Sequence, residues 1–468
     1  MKSKNLLFLF LILALIAFTV FIFQPGYIDN DSANQLEQIR SGHFDDWHPP
    51  AMSWLWGQFD RVLPGPLSLF LLQVVLFWSG MGIIANLIAS TPTSKSLYLL
   101  LGLFPPAFMF LGAVIKDILM AAVFLFGVAS ILYAERRKSM GAFVAGMVFL
   151  GYGMLIRHNA ILAALPLFLY AGYVLTQMHP DILSKTPPSW RAIGLGASLF
   201  LIVFVTGRIW NNRLTDTKTY PFQQIMLHDL AGISIRLNTY LIPEYVAATE
   251  QPSMKDLRQI YQLRSMKNLY WPDFTNIHYR ILTETDLADD LFNTWVTEVV
   301  DHPRAYLMHR SDVFMGVLGF RGGRHCSPYY YEDTVYKPKG YYQSDGNYYS
   351  DNPVANVIYT WMEPLRNSFL YWNWLYLFLP LMLFAVSLLM VLRSSIEKRY
   401  PAVIALVFSV SGILYGAAYF FVATACDFRY FYWNVIASLL AGLFLLCAVI
   451  WKNNSPKIDQ SDAAKETV

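Results

Sequence analysis

Residues 96–134 read SLYLLLGLFPPAFMFLGAVIKDILMAAVFLFGVASILYA, and their only charged members are Lys116 and Asp117. A helix that crosses a bilayer needs about 20 mostly apolar residues. The stretch therefore predicts two such helices, 96–115 and 117–134, meeting at one charged pair. Eight further runs extend the pattern: Asn5–Phe23, then residues near 66–89, 140–156, 158–176, 192–210, 370–392, 401–424 and 431–451. No small-x-small cleavage site precedes Gln24 and Pro25, so the first run reads as a retained helix and not a signal peptide. The expectation is an all-α polytopic membrane protein with about ten transmembrane helices.

Composition agrees. The chain is 55% hydrophobic and 14% charged, and its mean hydropathy is +0.37. Soluble domains carry roughly 25% charged residues. The net charge is +3 and no basic cluster is interleaved with aromatics, which excludes a nucleic-acid partner. Three cysteines are too few for a disulfide framework. Cys326 stands alone in the longest polar stretch, so the cysteines carry no redox argument at this level.

Orientation follows from Lys and Arg. If the spans alternate, Lys2, Lys4, Lys95, Arg136–Lys138, Lys185, Arg191, Arg393, Lys398, Arg399 and Lys452 share one side, the cytoplasm. Both termini are then cytoplasmic. The organisation expected is a membrane core over 1–210 with a first outer loop at 24–65. An extracytoplasmic segment follows at 211–369, then C-terminal membrane helices at 370–451 and a polar, disordered tail at 452–468.

The charges that interrupt the apolar runs all fall at the outer ends of helices: Asp29 and Asp31, Lys116–Asp117, Arg157–His158, and Asp427 with Arg429. Charges beside a span usually face a bundle interior or a wet cavity. Plain hairpin turns are the alternative, but these turns have little of the Gly, Asn and Ser punctuation that turns favour. Arg157, Arg429 and Lys116 can bind a phosphate, Arg through a bidentate fork and Lys as a point charge. Asp29, Asp31 and Asp117 can act as a general base or hold a divalent cation. Anion sites plus a base at a membrane surface suit a lipid-linked phosphate as the leaving group.

The first outer loop predicts a short surface helix from Ser32 that ends at Gly42. An extended corner at Asp45–Pro50 follows, then a second interfacial helix anchored by Trp54 and Trp56. His48 is either a structural residue of this corner or a phosphate contact. Asn30-Asp31-Ser32 matches a glycosylation acceptor, but a glycan there would block the two acids. The match reads as coincidental and points to a bacterial inner membrane.

With these residues in view, the layout resembles the GT-C superfamily of polyprenyl-phosphate-dependent glycosyltransferases. Its protein O-mannosyltransferase and aminoarabinose-transferase branch is the nearest in pattern. The resemblance rests on Asp29-Asn30-Asp31 after the first helix and on Asp46-Trp47-His48-Pro49-Pro50 running into Ser53-Trp54-Leu55. Lys116-Asp117 and Asp427-Phe428-Arg429-Tyr430 complete it. It covers residues 5–210 and implies a seven-helix core. It also implies transfer of a sugar from a polyprenyl-phosphate donor to a glycan, lipid or protein acceptor. Asp31 or Asp29 would be the base, and Asp117 would assist it or bind a metal. Lys116, Arg157, His158, Arg429 and His48 would hold the donor phosphate. Two departures stand out. Many relatives have adjacent Asp and Glu where Asn30 separates two aspartates, and aminoarabinose transferases tend to carry Lys where this chain has His48. The lipid A substrate therefore does not carry over.

The 211–369 segment is too long for a connector without structure. Its spacing predicts a helix over Met254–Met266 and helices broken at Pro303. The Gly- and Tyr-rich run 321–351 reads as an acceptor surface, with Tyr330, Tyr341, Arg321 and Arg324 as candidates, or as a lid or an interfacial loop. His309, Arg310, Arg321 and Arg324 are candidates for diphosphate contacts. Two other functions share these features. One is a polysaccharide polymerase or ligase using a lipid-diphosphate glycan. The other is a lipid-glycan flippase, although flippases place polar residues at the midplane and show repeats.

Overall fold

The computed structural model describes residues 2–450 apart from 90, 183–185, 249–251, 273–274, 323–325 and 327–352. Helix α1 (Lys2–Phe23) is followed by two short helices, α2 (Asn30–Ser41) and α3 (Pro50–Asp60). The chain returns through α4 (Leu67–Ile88). It then runs α5 (Pro92–Leu100), a 3-10 turn Leu101–Leu103, and α6 (Pro105–Phe110). Long helices α7 (Lys116–Arg137), α8 (Met140–Ile156), α9 (Ala160–Met178) and α10 (Pro188–Leu214) follow. The next segment holds α11 (Gln223–Leu237), α12 (Met254–Ile260), α13 (Lys267–Tyr270), α14 (Thr285–Asp301) and α15 (Pro303–Val317). After α16 (Pro353–Arg366) come α17 (Leu375–Arg393), α18 (Ile396–Val422), a 3-10 turn Phe428–Phe431 and α19 (Tyr432–Ile450). Among the described residues the only β pairing is isolated bridges.

Among the described residues, eight helices are long and apolar enough to cross a membrane, and α8 is a shorter apolar helix. The chain is thus an all-helical polytopic membrane protein. Helix α7 is buried along almost its whole length and packs on α4, α8, α9 and α19. At the rim, α10 leaves Leu201, Ile202 and Val205 uncovered, as a lipid-facing helix does. It crosses α9 where Gly172 lies against the backbone of Ala192 and Gly196, an approach that any Cβ would block.

The single span expected over 96–115 is not there. Pro105 and Pro106 supply no N–H, and Phe104 before them is extended (φ −53°, ψ 125°), so the helix breaks. Residues 111–115 after α6 are not helical either: Leu111 and Gly112 form a turn, and Ile115 is extended (φ −134°, ψ 147°). Non-helical backbone at such depth needs buried partners, and three parts of the chain provide them. Tyr27 pairs with Gly112 and Val114 by backbone bonds of 3.1 and 2.8 Å. Gln73 Nε2 donates to the carbonyls of Leu111 and Ala113, both at 2.8 Å. Ser32 Oγ donates to Val114 O at 2.6 Å. The break thereby stitches the start of α7 to the start of α2.

The two surface helices of the first loop form as expected, and Gly42 closes α2 in the left-handed region (φ 75°). The segment between α10 and α16 has its own small core around Leu227, Leu230, Leu257, Tyr279 and Leu291. Its helices break at Pro303 as the spacing requires. The helix expected over Met254–Met266 stops at Ile260, where the chain turns through a Gln262–Ser265 bridge.

Candidate active site

Four chain segments far apart in sequence meet at one end of the bundle. Asp29 caps α2, accepting from Ser32 N at 2.9 Å. Asp31 lies in the first turn of the same helix, so both acids sit where its dipole favours negative charge. Lys116 and Asp117 open α7, Arg157 ends α8, and Asp427 and Arg429 lie in the connector before α19.

Arg429 is the hub. Its guanidinium pairs with Asp29, with Asp31 at 3.0 Å and with Asp427 at 2.7 Å, and Asp117 stands 4.0 Å away. Arg157 pairs with Asp117, which has no exposure, and donates to Tyr419 Oη at 3.0 Å. The Tyr430 ring lies under its guanidinium at 5.0 Å and stacks on Tyr419. Asp31 is different. Its side chain is 32% exposed, with Lys116 Nζ at 3.5 Å and His48 Nε2 at 3.8 Å. Lys116 also donates to His48 Nδ1 at 2.6 Å. An ammonium has no acceptor, so Nδ1 accepts and the neutral ring carries its proton on Nε2, toward Asp31.

The two acids of α2 are driven apart. Burial raises the Asp29 carboxyl above its ordinary value despite Arg429. Burial acts on Asp31 too, but Lys116, Arg429 and His48 together hold it well below the usual carboxylate range. Burial, reinforced by Lys116, lowers His48 to about 3. Asp427 is pushed up by burial to about 6.

A cavity of about 530 Å³ opens beside this cluster. It is lined by Lys116, Arg157, His158 and His48, by Arg208, Asn211 and Asn212 from the end of α10, and by the aromatic rings of Trp47, Tyr220, Tyr419 and Tyr430. The structure therefore brings together Asp29, Asp31, Lys116, Asp117, Arg157, His158, Arg429 and His48. It gives them unequal access. Asp29, Asp31, Asp117 and Arg429 stand behind the residues that line the cavity, and the Arg429 guanidinium is shared among carboxylates. Asp31 and Asp117, the candidates for a divalent cation, both sit beside basic side chains. The first faces Lys116 and Arg429, and the second is sealed against Arg157. Among the described residues, no group of three or more His, Cys, Asp or Glu is arranged to hold a metal.

The candidates in the 211–369 segment fall elsewhere. His309 and Arg310 are sealed around Asp229, at 3.2 and 2.6 Å, with side-chain exposures of 1% or less. Arg321 pairs with Asp312 in another cavity. Tyr330, Tyr341 and Arg324 lie outside the described residues.

Sequence reading missed Arg208, Asn211 and Asn212, whose only signal was polarity in the last turns of an apolar run. It also missed the bond between Cys326 and Cys426, 100 residues apart. That disulfide ties the 211–369 segment to the connector of Asp427 and Arg429. Met266 N→Thr424 O (2.8 Å), Cys426 N→Arg264 O (2.9 Å) and Arg310 Nη1→Ala423 O (2.8 Å) bind the same connector. No family model matches the chain, and no curated protein and no solved structure matches it either.

Proposed function

We propose that the protein is a glycosyltransferase of the GT-C kind, set in a bacterial inner membrane with both termini in the cytoplasm. It moves a sugar from a polyprenyl-phosphate donor to a glycan, lipid or protein acceptor on the outer side. One observation carries the reading. Asp31, partly exposed, stands against Lys116 and His48 beside a cavity lined by Lys116, Arg157, Arg208, His158 and two asparagines. Two arguments support the outer placement. The Lys and Arg excess lies at the opposite helix ends. Disulfides, such as Cys326–Cys426 at this end, persist in oxidising compartments.

In this reading Lys116 and Arg157 hold the donor phosphate, and His158 and Arg208 border it. The acceptor oxygen attacks the sugar C1 and forms the new bond. The C1–O bond to phosphate breaks, and the phosphate leaves with the electron pair, its charge met by the two cations. As the hydroxyl bonds to C1 it becomes acidic, and its proton passes to the ionised Asp31 oxygen. Asp29 stays on its cap and on Arg429, and Asp117 orients Arg157. Arg429 sets the carboxylates and binds no substrate.

The test uses the full-length protein in liposomes with a panel of polyprenyl-phosphate sugars, reading lipid phosphate released and product mass. Asp31→Asn is expected to lower release by about 10²–10⁴-fold at unchanged yield and melting midpoint. Turnover near that of the parent would remove Asp31 as the base. A product gaining whole repeats would point to a polymerase instead.

A further inference from the structure

A second cavity, of about 560 Å³, opens on the 211–369 segment. Arg236, Arg304 and Arg321 line it with a single carboxylate, Asp312. Arg236 and Arg321 both grip Asp312. Among the described residues Arg304 makes no ion pair. Three guanidiniums against one carboxylate leave two positive charges in excess. Between them the wall is apolar: Leu307 and Met308 are 51% and 48% exposed. Arg304, Leu307, Met308 and Ser311 follow one another at helical spacing on one face of α15.

The position of α15 says what meets this face. Arg310 reaches the carbonyl of Ala423 at the end of α18. Phe314 packs on Phe420 of α18 at 5.8 Å. Val317 O accepts from Asn373, just before α17. Phe320 stacks on Trp374 at 6.2 Å. The helix thus leans on the ends of two bundle helices, and Phe320, Phe369, Phe378 and Phe421 remain exposed around it. Trp and Tyr at helix ends mark the level of lipid headgroups, and Trp372 and Trp374 stand together just before α17. Cationic side chains beside bare Leu and Met at that level match a headgroup with its acyl chains.

We propose that this cleft binds the phosphodiester headgroup of an anionic phospholipid in the leaflet around the protein. Arg304 and the exposed fork of Arg321 take the phosphate oxygens. Asp312 holds Arg236 and Arg321 in place beforehand, and Leu307 and Met308 lie along the glycerol and upper acyl chain. The inference does not depend on the transferase reading.

Native mass spectrometry of the full-length protein, titrated separately with phosphatidylglycerol and phosphatidylcholine, tests it. Phosphatidylglycerol should bind more tightly. Arg304→Gln should weaken it about five-fold, and Arg304→Gln with Arg321→Gln further, at about 1 kcal/mol per arginine. Phosphatidylcholine, whose phosphate charge its own choline balances, should lose less than phosphatidylglycerol. Arg304 is exposed and outside any described pair, so the single variant should melt as the parent does. Equal phosphatidylglycerol affinity in parent and single variant would overturn the proposal. So would equal affinity for the two lipids. Displacement of phosphatidylglycerol by soluble glycerol phosphate at matched concentration would do the same, by showing a site for free phosphate.

Discussion

Two knots of buried charge sit on either side of Ala423. One joins Asp29, Asp31, Lys116, Asp117, Arg157 and Arg429 at the end of the bundle. The other joins Asp229, His309 and Arg310 within the 211–369 segment. Ala423 lines the cavity of the first, and its carbonyl accepts from Arg310 of the second. Both look alike in sequence, as acids and bases among apolar residues. They differ in closure. The second is sealed, and the Arg310 fork is spent on Asp229 and a carbonyl. The first opens to a cavity and keeps Lys116 and His48 at its edge. A closed knot can only hold the fold together, whereas an open one can exchange a partner for a substrate.

The largest effect should come from opening the closed knot. Asp229→Ala leaves a buried guanidinium without its counter-charge and should cost about 3–5 kcal/mol, seen as a collapse of yield or a steep fall in the melting midpoint. A variant that melts with the parent would mean that the two knots do not differ in kind. At the open knot, Asp31→Asn should leave that midpoint in place. Next comes Arg429→Lys. An ammonium cannot span several carboxylates as the guanidinium does, so Asp31 should move by about an ångström and turnover should fall about 10²-fold. Retained turnover would show that the hub does not set the base.

The smallest effect is a pH slope. The His48 pKa falls from its ordinary 6.5 to about 3 on folding. The stability it contributes is fully present above pH 6.5 and fades as pH drops toward 3, because the unfolded chain takes up the proton first. The melting midpoint of the parent should fall more steeply across that window than that of His48→Asn. Parallel curves would place His48 outside the buried network.

The sequence made the membrane class legible because apolar run length is a local property. It also located the candidate site residues in part. Asp31, Lys116 and Arg157 announced themselves as charges that apolar runs do not otherwise tolerate. Their division of labour was not legible. Asp29 and Asp31 are two residues apart and chemically identical, yet one is a buried cap and the other is partly exposed against Lys116 and His48. Arg429 reads like Arg157, but four carboxylates surround it. His309 and Arg310 looked like anion ligands until Asp229 enclosed them.

Chain composition alone thus settled that this protein lives in a bilayer, since hydrophobic transfer sums residue by residue. It settled too that charges gather at helix ends, because their desolvation cost forbids the middle. Which charges face a cavity, which are sealed and which cysteines meet was decided by tertiary structure. Pairing and access depend on distances across the fold, between residues up to 400 positions apart in the chain. The Pro105–Pro106 break shows both levels at once: the prolines end the helix locally, but only Tyr27, Ser32 and Gln73, brought from elsewhere, make the opened backbone tolerable in a membrane.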